Sequence, residues 1–384
     1  MSNDSPSTSR PMYEQIFASL RERIEKKQYT VGDRVPSEKE LCEEFGVSRI
    51  TSKKALEMLA TDGYIVRQPG RGSFVSVPQP AAAAVPVSAS AARGGMLLIG
   101  LIITTFSDSY GTGLVHAMEE ASRANGCFLV LRRTLGKPEH EEEAIRQLLE
   151  LGVDGLIIFP AQGEFFSAEI LKLVISQFPL VMVDRYLKGI NAASVCTDNL
   201  EAAKDAARHL FGLGHKHIAL LTQPPVNTTT IEDRIEGFIQ AHAEQGIIVD
   251  RELWLESITS TLPSVPDEEC RSRDIQAIME HLRRNPHITA VFAIEYEVAE
   301  LTHIAAQQLG LSVPEQLSII CFDSPDSSDL SRYTHMRQNQ NEMGRLAFEH
   351  VLQLQKGEAS NQRTTLQAAL VQGASTAPAR RTAE

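Results

Sequence analysis

The stretch VPSEKELCEEFGVSR, residues 35–49, decides how the first part of the chain is read. Ser37 and Glu40 stand three apart just after Pro36. That is the spacing of a capping box, in which a hydroxyl and a carboxylate each satisfy a free backbone N–H at a helix start. Leu41 and Phe45, one turn apart, face inward, and Gly46-Val47 makes a turn. Ser48 caps the next helix, which runs to Gly63, where glycine accepts a left-handed backbone. A short two-helix turn with a capped, basic second helix fits the major groove of B-DNA, and the first residues of that helix reach base edges.

Outward from this turn, Ile16, Phe17, Leu20 and Ile24 recur at helical spacing on the N-terminal side. On the C-terminal side, Ala55, Leu56 and Leu59 share one arc of the third helix, and Arg49, Lys53 and Lys54 another. Residues 64–68 and 73–77 then alternate as strands around Pro69-Gly70-Arg71-Gly72, a hairpin with a basic tip. Arg49, first after the cap, is placed for a bidentate contact to guanine. Thr51, Ser52 and Lys53 are candidates for phosphates or bases, and Arg71 for the minor groove. The competing explanation, solvated charge on a small helical domain, suits any one lysine better than it suits the ordered set.

Charge is distributed to match. The 384 residues carry a net charge of −12. Residues 1–80 hold twelve Lys/Arg against eleven Asp/Glu, so the acid lies almost wholly in the rest. Segment 45–75 is locally +3, where a nucleic-acid footprint needs it. The five cysteines are scattered with no CxxC pair, which argues against a disulfide framework and a zinc site. No apolar run reaches the roughly 18 residues of a membrane span. Residues 1–10 lack the apolar core of a signal peptide, so a cytoplasmic protein is expected.

Composition breaks at Pro78. Residues 78–95, PQPAAAAVPVSASAARGG, have almost no large apolar side chain and are expected to be a flexible linker. The expected organisation is a disordered tail over 1–9, a winged helix-turn-helix over 10–77, the linker, and a larger domain over 96–384. In that domain, strand-like runs at 97–103, 128–131, 155–159, 180–183, 218–222, 290–294 and 318–322 alternate with helical segments. The fold class expected is α/β, with parallel sheets covered by helices on both faces. Such sheets bind ligands at the C-terminal ends of their strands, so the loops after Ile103, Val183, Thr222, Ile294 and Phe322 matter most.

Residues 11–75 resemble the winged-helix domain of GntR-type regulators, through the 35–41 and 45–49 segments and Gly70-Arg71-Gly72-Ser73-Phe74-Val75. The resemblance implies DNA contacts at Lys39, Arg49, Lys53 and the wing at Gly70, Arg71 and Gly72. Positions 39 and 53 carry Lys where that family more often has Arg, which alone offers a planar fork. Residues 97–373 resemble the sugar-binding domain of LacI-type repressors. The matching pieces include Gly152-Val153-Asp154-Gly155, Val183-Asp184-Arg185, Thr197-Asp198-Asn199, Leu213-Gly214-His215, Cys321-Phe322-Asp323 and Met336-Arg337-Gln338. This resemblance implies a periplasmic-binding-protein-like sensor of two α/β lobes, joined by three crossovers, with sugar in the cleft. The pairing of such a reader with such a sensor is similar to arabinose-responsive repressors.

Sugar hydroxyls need paired donors and acceptors, which Asp, Gln and Arg supply. Mapped onto the strand-end loops, the candidates are Asp108, Tyr110, Asp184, Arg185, Arg234, Glu295, Asp323 and Gln338. Each has a plainer alternative: Asp184-Arg185 as a loop ion pair, Asp323 as a turn residue before Pro325, Arg234 as an exposed helix residue. The chain departs from the family at Glu295-Tyr296, where Asn-Asp is usual, and at Asp108-Ser109, where Asn-Pro is usual. No cofactor or metal is expected; His215 and His217 precede a strand and read as structural. The expected partners are double-stranded operator DNA, a monosaccharide effector with L-arabinose in view, and a second copy of the chain. Two rivals remain. A sugar-acting enzyme lacks a nucleophile–base set in this sequence, and an exported binding protein would need a signal.

Overall fold

The structure, a computed structural model, describes residues 12–26, 28–30, 33–61, 64–68, 72–75, 93, 95–161, 167–225, 228–263, 268–325, 332–358 and 362–380. The chain divides into two compact units, residues 1–88 and 89–384. The tail at 1–9, most of the linker, the helix end at Gly63 and the wing tip at Gly70 and Arg71 lie outside the described residues.

In the first unit, α1 (Met12–Glu25), α2 (Glu38–Phe45) and α3 (Arg49–Thr61) precede a hairpin of β1 (Ile65–Gln68) and β2 (Gly72–Val75). The capping box forms: Ser37 N–H donates to Glu40 Oε2 (2.6 Å) and Glu40 N–H to Ser37 Oγ (3.3 Å). Gly46 ends α2 at φ 63°, a left-handed geometry that glycine adopts without strain. Ser48 opens α3 by accepting from Thr51 N–H (3.4 Å). Ile16, Leu20, Leu41, Leu56, Leu59 and Ile65 close one small core. Val35 N–H donates to Ser73 O and Val75 N–H to Asp33 O, which ties residues 33–35 to the hairpin.

The second unit has two lobes. The first contains β3 (Leu98–Ile103), α4 (Thr112–Ala124), β4 (Phe128–Arg133), α5 (Pro138–Leu151), β5 (Gly155–Ile158), α6 (Ala168–Ile175), β6 (Leu180–Val183) and β7 (Ala193–Thr197). The second contains α7 (Asn199–Gly212), β8 (Ile218–Leu221), α8 (Thr229–Glu244), β9 (Trp254–Leu255), α9 (Glu268–Arg284), β10 (Ala290–Ala293), α10 (Tyr296–Gln308), β11 (Ser318–Phe322) and β12 (Thr334–Arg337). The chain then recrosses to lay α11 (Gln340–Gln355) and β13 (Arg363–Leu366) on the first lobe, and returns for β14 (Ala369–Val371). It therefore passes between the lobes three times. The sheet orders are β13-β7-β6-β5-β3-β4 and β14-β12-β11-β10-β8-β9. Every pairing in them is parallel except β12 with β14.

Central strands such as LIGLII in β3 and IALL in β8 are buried at every residue, because helices cover both faces. The sequence missed β7, β9, β12, β13 and β14. Of these, β9 is very short, and β13 and β14 are edge strands with exposed residues that blur the apolar pattern. One expectation is corrected here. Arg93, counted with the linker, is anchored to the second unit: its guanidinium donates to Gly152 O (3.0 Å) and Asp154 Oδ2 (2.5 Å), and the same carboxylate oxygen holds Leu98 N–H (2.8 Å).

Candidate functional site

The C-terminal ends of both parallel sheets open onto one cleft of about 140 Å³. A void of about 150 Å³ holds a single six-membered ring. Seven of the eight residues expected at the strand ends line it: Tyr110, Asp184, Arg185, Arg234, Glu295, Asp323 and Gln338. Asp108 does not. It occupies an exposed turn, and the buried hydroxyl of Ser109 and the ring of Tyr110 enter instead.

The lobes contribute matched parts. From the first, Asp184 follows β6 and accepts from Tyr110 Oη. Arg185 lies over the Phe159 ring at 4.9 Å, with Nη1 donating to Pro160 O (3.2 Å). Its Nε stands 3.7 Å from Asp184 Oδ2, too far for a hydrogen bond, and is buried without a hydrogen-bond partner among the described residues. From the second lobe, Asp323 follows β11 and accepts from Gln338 Nε2 (2.7 Å). Gln338 Oε1 is likewise buried and without a partner among the described residues. Arg234 is only 6% exposed, so it is no surface helix residue. It donates to Asn199 Oδ1 (2.8 Å) and Ile294 O (2.7 Å) and stacks on Phe322 at 3.7 Å.

Several lining residues escaped the sequence reading. Gln223 Nε2 donates to Glu295 Oε1 (2.5 Å) and to Thr261 Oγ1 (2.7 Å). Ser109 Oγ donates across the lobes to Glu297 Oε1 (2.6 Å). Gln223 follows β8 in a loop the sequence had marked after Thr222, so the signal was present there. Glu297 lies on a helix, where nothing in spacing distinguishes it from surface charge. Among the described residues, four carboxylates, Asp184, Glu295, Glu297 and Asp323, face two guanidiniums in the cleft. For three of these carboxylates, Asp184, Glu295 and Asp323, burial is the largest influence on titration. It pushes Asp323 and Glu295 up to about 7, with Arg234 acting in the other direction on both. It also raises Asp184 against the pull of Arg185. Such a cleft accepts and donates hydrogen bonds on all sides.

In the first unit, Arg49 and Lys53 are exposed on α3 and Lys39 on α2, where Lys39 Nζ lies 3.9 Å from Glu43. Thr51 Oγ1 is 3.0 Å from Ser48 Oγ. Ser52 corrects the expectation: it is fully buried, donating to Arg49 O (3.1 Å) and lying 3.3 Å from Cys42 Sγ, so it cannot touch DNA. Gly72 opens β2; Gly70 and Arg71 are outside the described residues. Lys54 packs over the Tyr13 ring at 3.9 Å. No described helix is long and apolar enough to cross a membrane.

Residues 12–75 match bacterial regulatory proteins of the gntR family, and residues 207–376 match the periplasmic binding protein-like domain. The chain is 29% identical over 354 residues to the arabinose metabolism transcriptional repressor of Geobacillus stearothermophilus, covering 90% of this chain and 91% of that protein. It is 25% identical over 293 residues to the protein of the same name from Halalkalibacterium halodurans, with 76% and 74% covered. A LacI family transcriptional regulator from Enterococcus faecium, solved with bound ribose, superposes with a TM-score of 0.61 at 23% identity over 74% of this chain and 100% of that one. That last likeness is one of fold.

Proposed function

The chain joins a gntR-family regulatory domain to a periplasmic binding protein-like domain, and on that premise we propose that it is a transcriptional repressor whose grip on operator DNA is released by a neutral monosaccharide, a pentose such as L-arabinose. The observation that carries this reading is the convergence of Tyr110, Asp184, Arg185, Arg234, Glu295, Asp323 and Gln338, from both lobes, on one small polar cleft. A donor, Arg185 Nε, and an acceptor, Gln338 Oε1, are left unmet on its walls. Sugar hydroxyls, which both donate and accept, complete both.

Charge favours a neutral ligand over a sugar phosphate. Among the described residues, four carboxylates against two guanidiniums leave no surplus cation for a dianion. At an effective dielectric near 20, each uncompensated like-charge contact at about 4 Å costs on the order of 4 kcal/mol. Relatives named as arabinose metabolism repressors support both the regulatory role, as opposed to an enzyme, and the pentose. Lys39, Arg49, Thr51 and Lys53, with the wing at Gly70–Gly72, would read DNA. A homodimer on a pseudo-palindromic operator follows because one winged helix reads only a few base pairs.

Calorimetry with L-arabinose, other pentoses, hexoses and their phosphates, paired with gel shifts on operator DNA, tests this. Binding of a neutral pentose that frees the DNA supports it. Exclusive binding of a phosphorylated sugar, or turnover of the sugar, overturns it.

A further inference from the structure

A second cavity, of about 240 Å³, lies in the second lobe away from the cleft. Its walls are Ile288, Leu309, Leu311 and Leu317, with Leu282 of α9 beside them. Leu317 immediately precedes β11 and Ile288 stands two residues before β10, the strands whose other ends lead to Asp323 and Glu295. Cavity and cleft thus lie at opposite ends of the same two strands.

The charged groups of this cavity are of one sign. Arg380 and Arg283 line it, and no Asp or Glu does among the described residues. Arg380 is held in place: Nη2 donates to Pro286 O (2.8 Å) and to Ile288 O (3.4 Å). Its Nε is buried and has no hydrogen-bond partner among the described residues. A buried donor on a cation, left unmet, is costly, and such groups are generally satisfied in folded proteins.

We propose that this cavity is a binding site for a small amphipathic carboxylate, its hydrocarbon tail against the leucines and its carboxylate on Arg380. A carboxylate matches the guanidinium fork and meets the buried Nε. A neutral apolar molecule would leave that donor unmet, and a bare inorganic anion would leave the apolar walls wet. The proposal is independent of the sugar cleft, which has the opposite balance of charge.

The test is calorimetry on the full-length protein with octanoate, 1-octanol and inorganic phosphate. Octanoate is expected to bind saturably, one per chain, roughly tenfold or more tighter than octanol, and phosphate not at all. Arg380→Met keeps an apolar stem and removes the charged head; it should abolish the preference for octanoate over octanol. Leu311→Phe narrows the cavity with Arg380 intact, so both ligands should weaken. Melting curves check that each variant folds, and should Arg380→Met not fold, Leu311→Phe decides. Absence of saturable octanoate binding, equal affinity for octanol, or octanoate binding unchanged in the folded variants overturns the proposal.

Discussion

Asp184 and Asp323 occupy the same position in the two lobes. Each is the first residue past the fourth strand of its lobe, and each has a left-handed backbone, φ 68° and 61°. Each donates its N–H to the fifth strand, Asp184 to Val195 O (2.9 Å) and Asp323 to Met336 O (3.0 Å). A left-handed backbone costs most residues roughly 1–2 kcal/mol, whereas Asp and Asn adopt it more readily. Both sheets therefore end in a tolerated kink that turns a carboxylate into the cleft.

That geometry separates chemistry from strain. Asp184→Asn and Asp323→Asn should keep the backbone, and so the circular dichroism and melting behaviour close to wild type. Each loses a charge-assisted hydrogen bond to a sugar hydroxyl, about 1.5–3 kcal/mol, or roughly ten- to a hundredfold in Kd. Calorimetry with L-arabinose reads the loss. Undiminished binding in both variants would remove the pair from the proposed site.

Packing between α7 and α8 gives a stability prediction. A Cβ added at Gly237 would run into Leu200 O and stand 2.9 Å from Ala203 Cβ, so the two helices must part. Gly237→Ala should cost about 1–3 kcal/mol, as overpacking does. Gly212→Ala is the control, since a Cβ there meets nothing within 4 Å. Its effect should be neutral or stabilising by up to about 1 kcal/mol. Urea midpoints for the two variants measure both.

How far the sequence carried the structure depends on what each residue packs against. Long buried strands such as β3 and the Ser37–Glu40 capping box were legible, because burial and capping leave local patterns. Edge strands β13 and β14 were not, since their exposed residues break the apolar run. At the cleft, strand-end loops pointed to seven lining residues. Asp108 was misplaced because a turn decides by one residue which side chain faces inward, and the turn chose Ser109. Glu297 needed the lobes brought together: its partner Ser109 is 188 residues away. Ser52 misled for a similar reason. A hydroxyl early in a basic helix reads as a DNA contact until Cys42 is seen covering it.

On the DNA side, Arg49 and Ser52 should behave oppositely though only three residues apart. Arg49 is exposed at the start of α3, so Arg49→Ala should cost about 1–3 kcal/mol on operator DNA and much less on scrambled DNA. Ser52→Ala removes a buried hydrogen bond to Arg49 O and no DNA contact, so it should lower stability slightly and leave the salt dependence of binding unchanged. Titrations of both DNAs at fixed salt decide. Equal losses for Arg49→Ala on the two DNAs would remove it as a base reader.

The buried carboxylates should make both stability and effector binding depend on pH, in opposite directions. Asp323 and Glu295 are pushed up to about 7 by burial, well above the values they take in an unfolded chain. Between roughly pH 4 and 7 the folded state therefore holds protons that the unfolded chain has released. The stability these groups contribute is fully present below about pH 4 and is lost as pH rises toward 7. A sugar reverses the preference. Its hydroxyls donate to ionised carboxylates, so binding favours the charged forms and releases protons. Affinity for L-arabinose should rise from pH 5.5 to 8 and then level. Calorimetry at pH 6.5 in two buffers of different ionisation enthalpy counts the protons released; the number should fall toward zero at pH 8.5. Asp323→Asn should remove its share of that release while leaving the share of Glu295. Affinity that is flat with pH, with no protons exchanged at pH 6.5, would mean that these carboxylates do not meet the ligand.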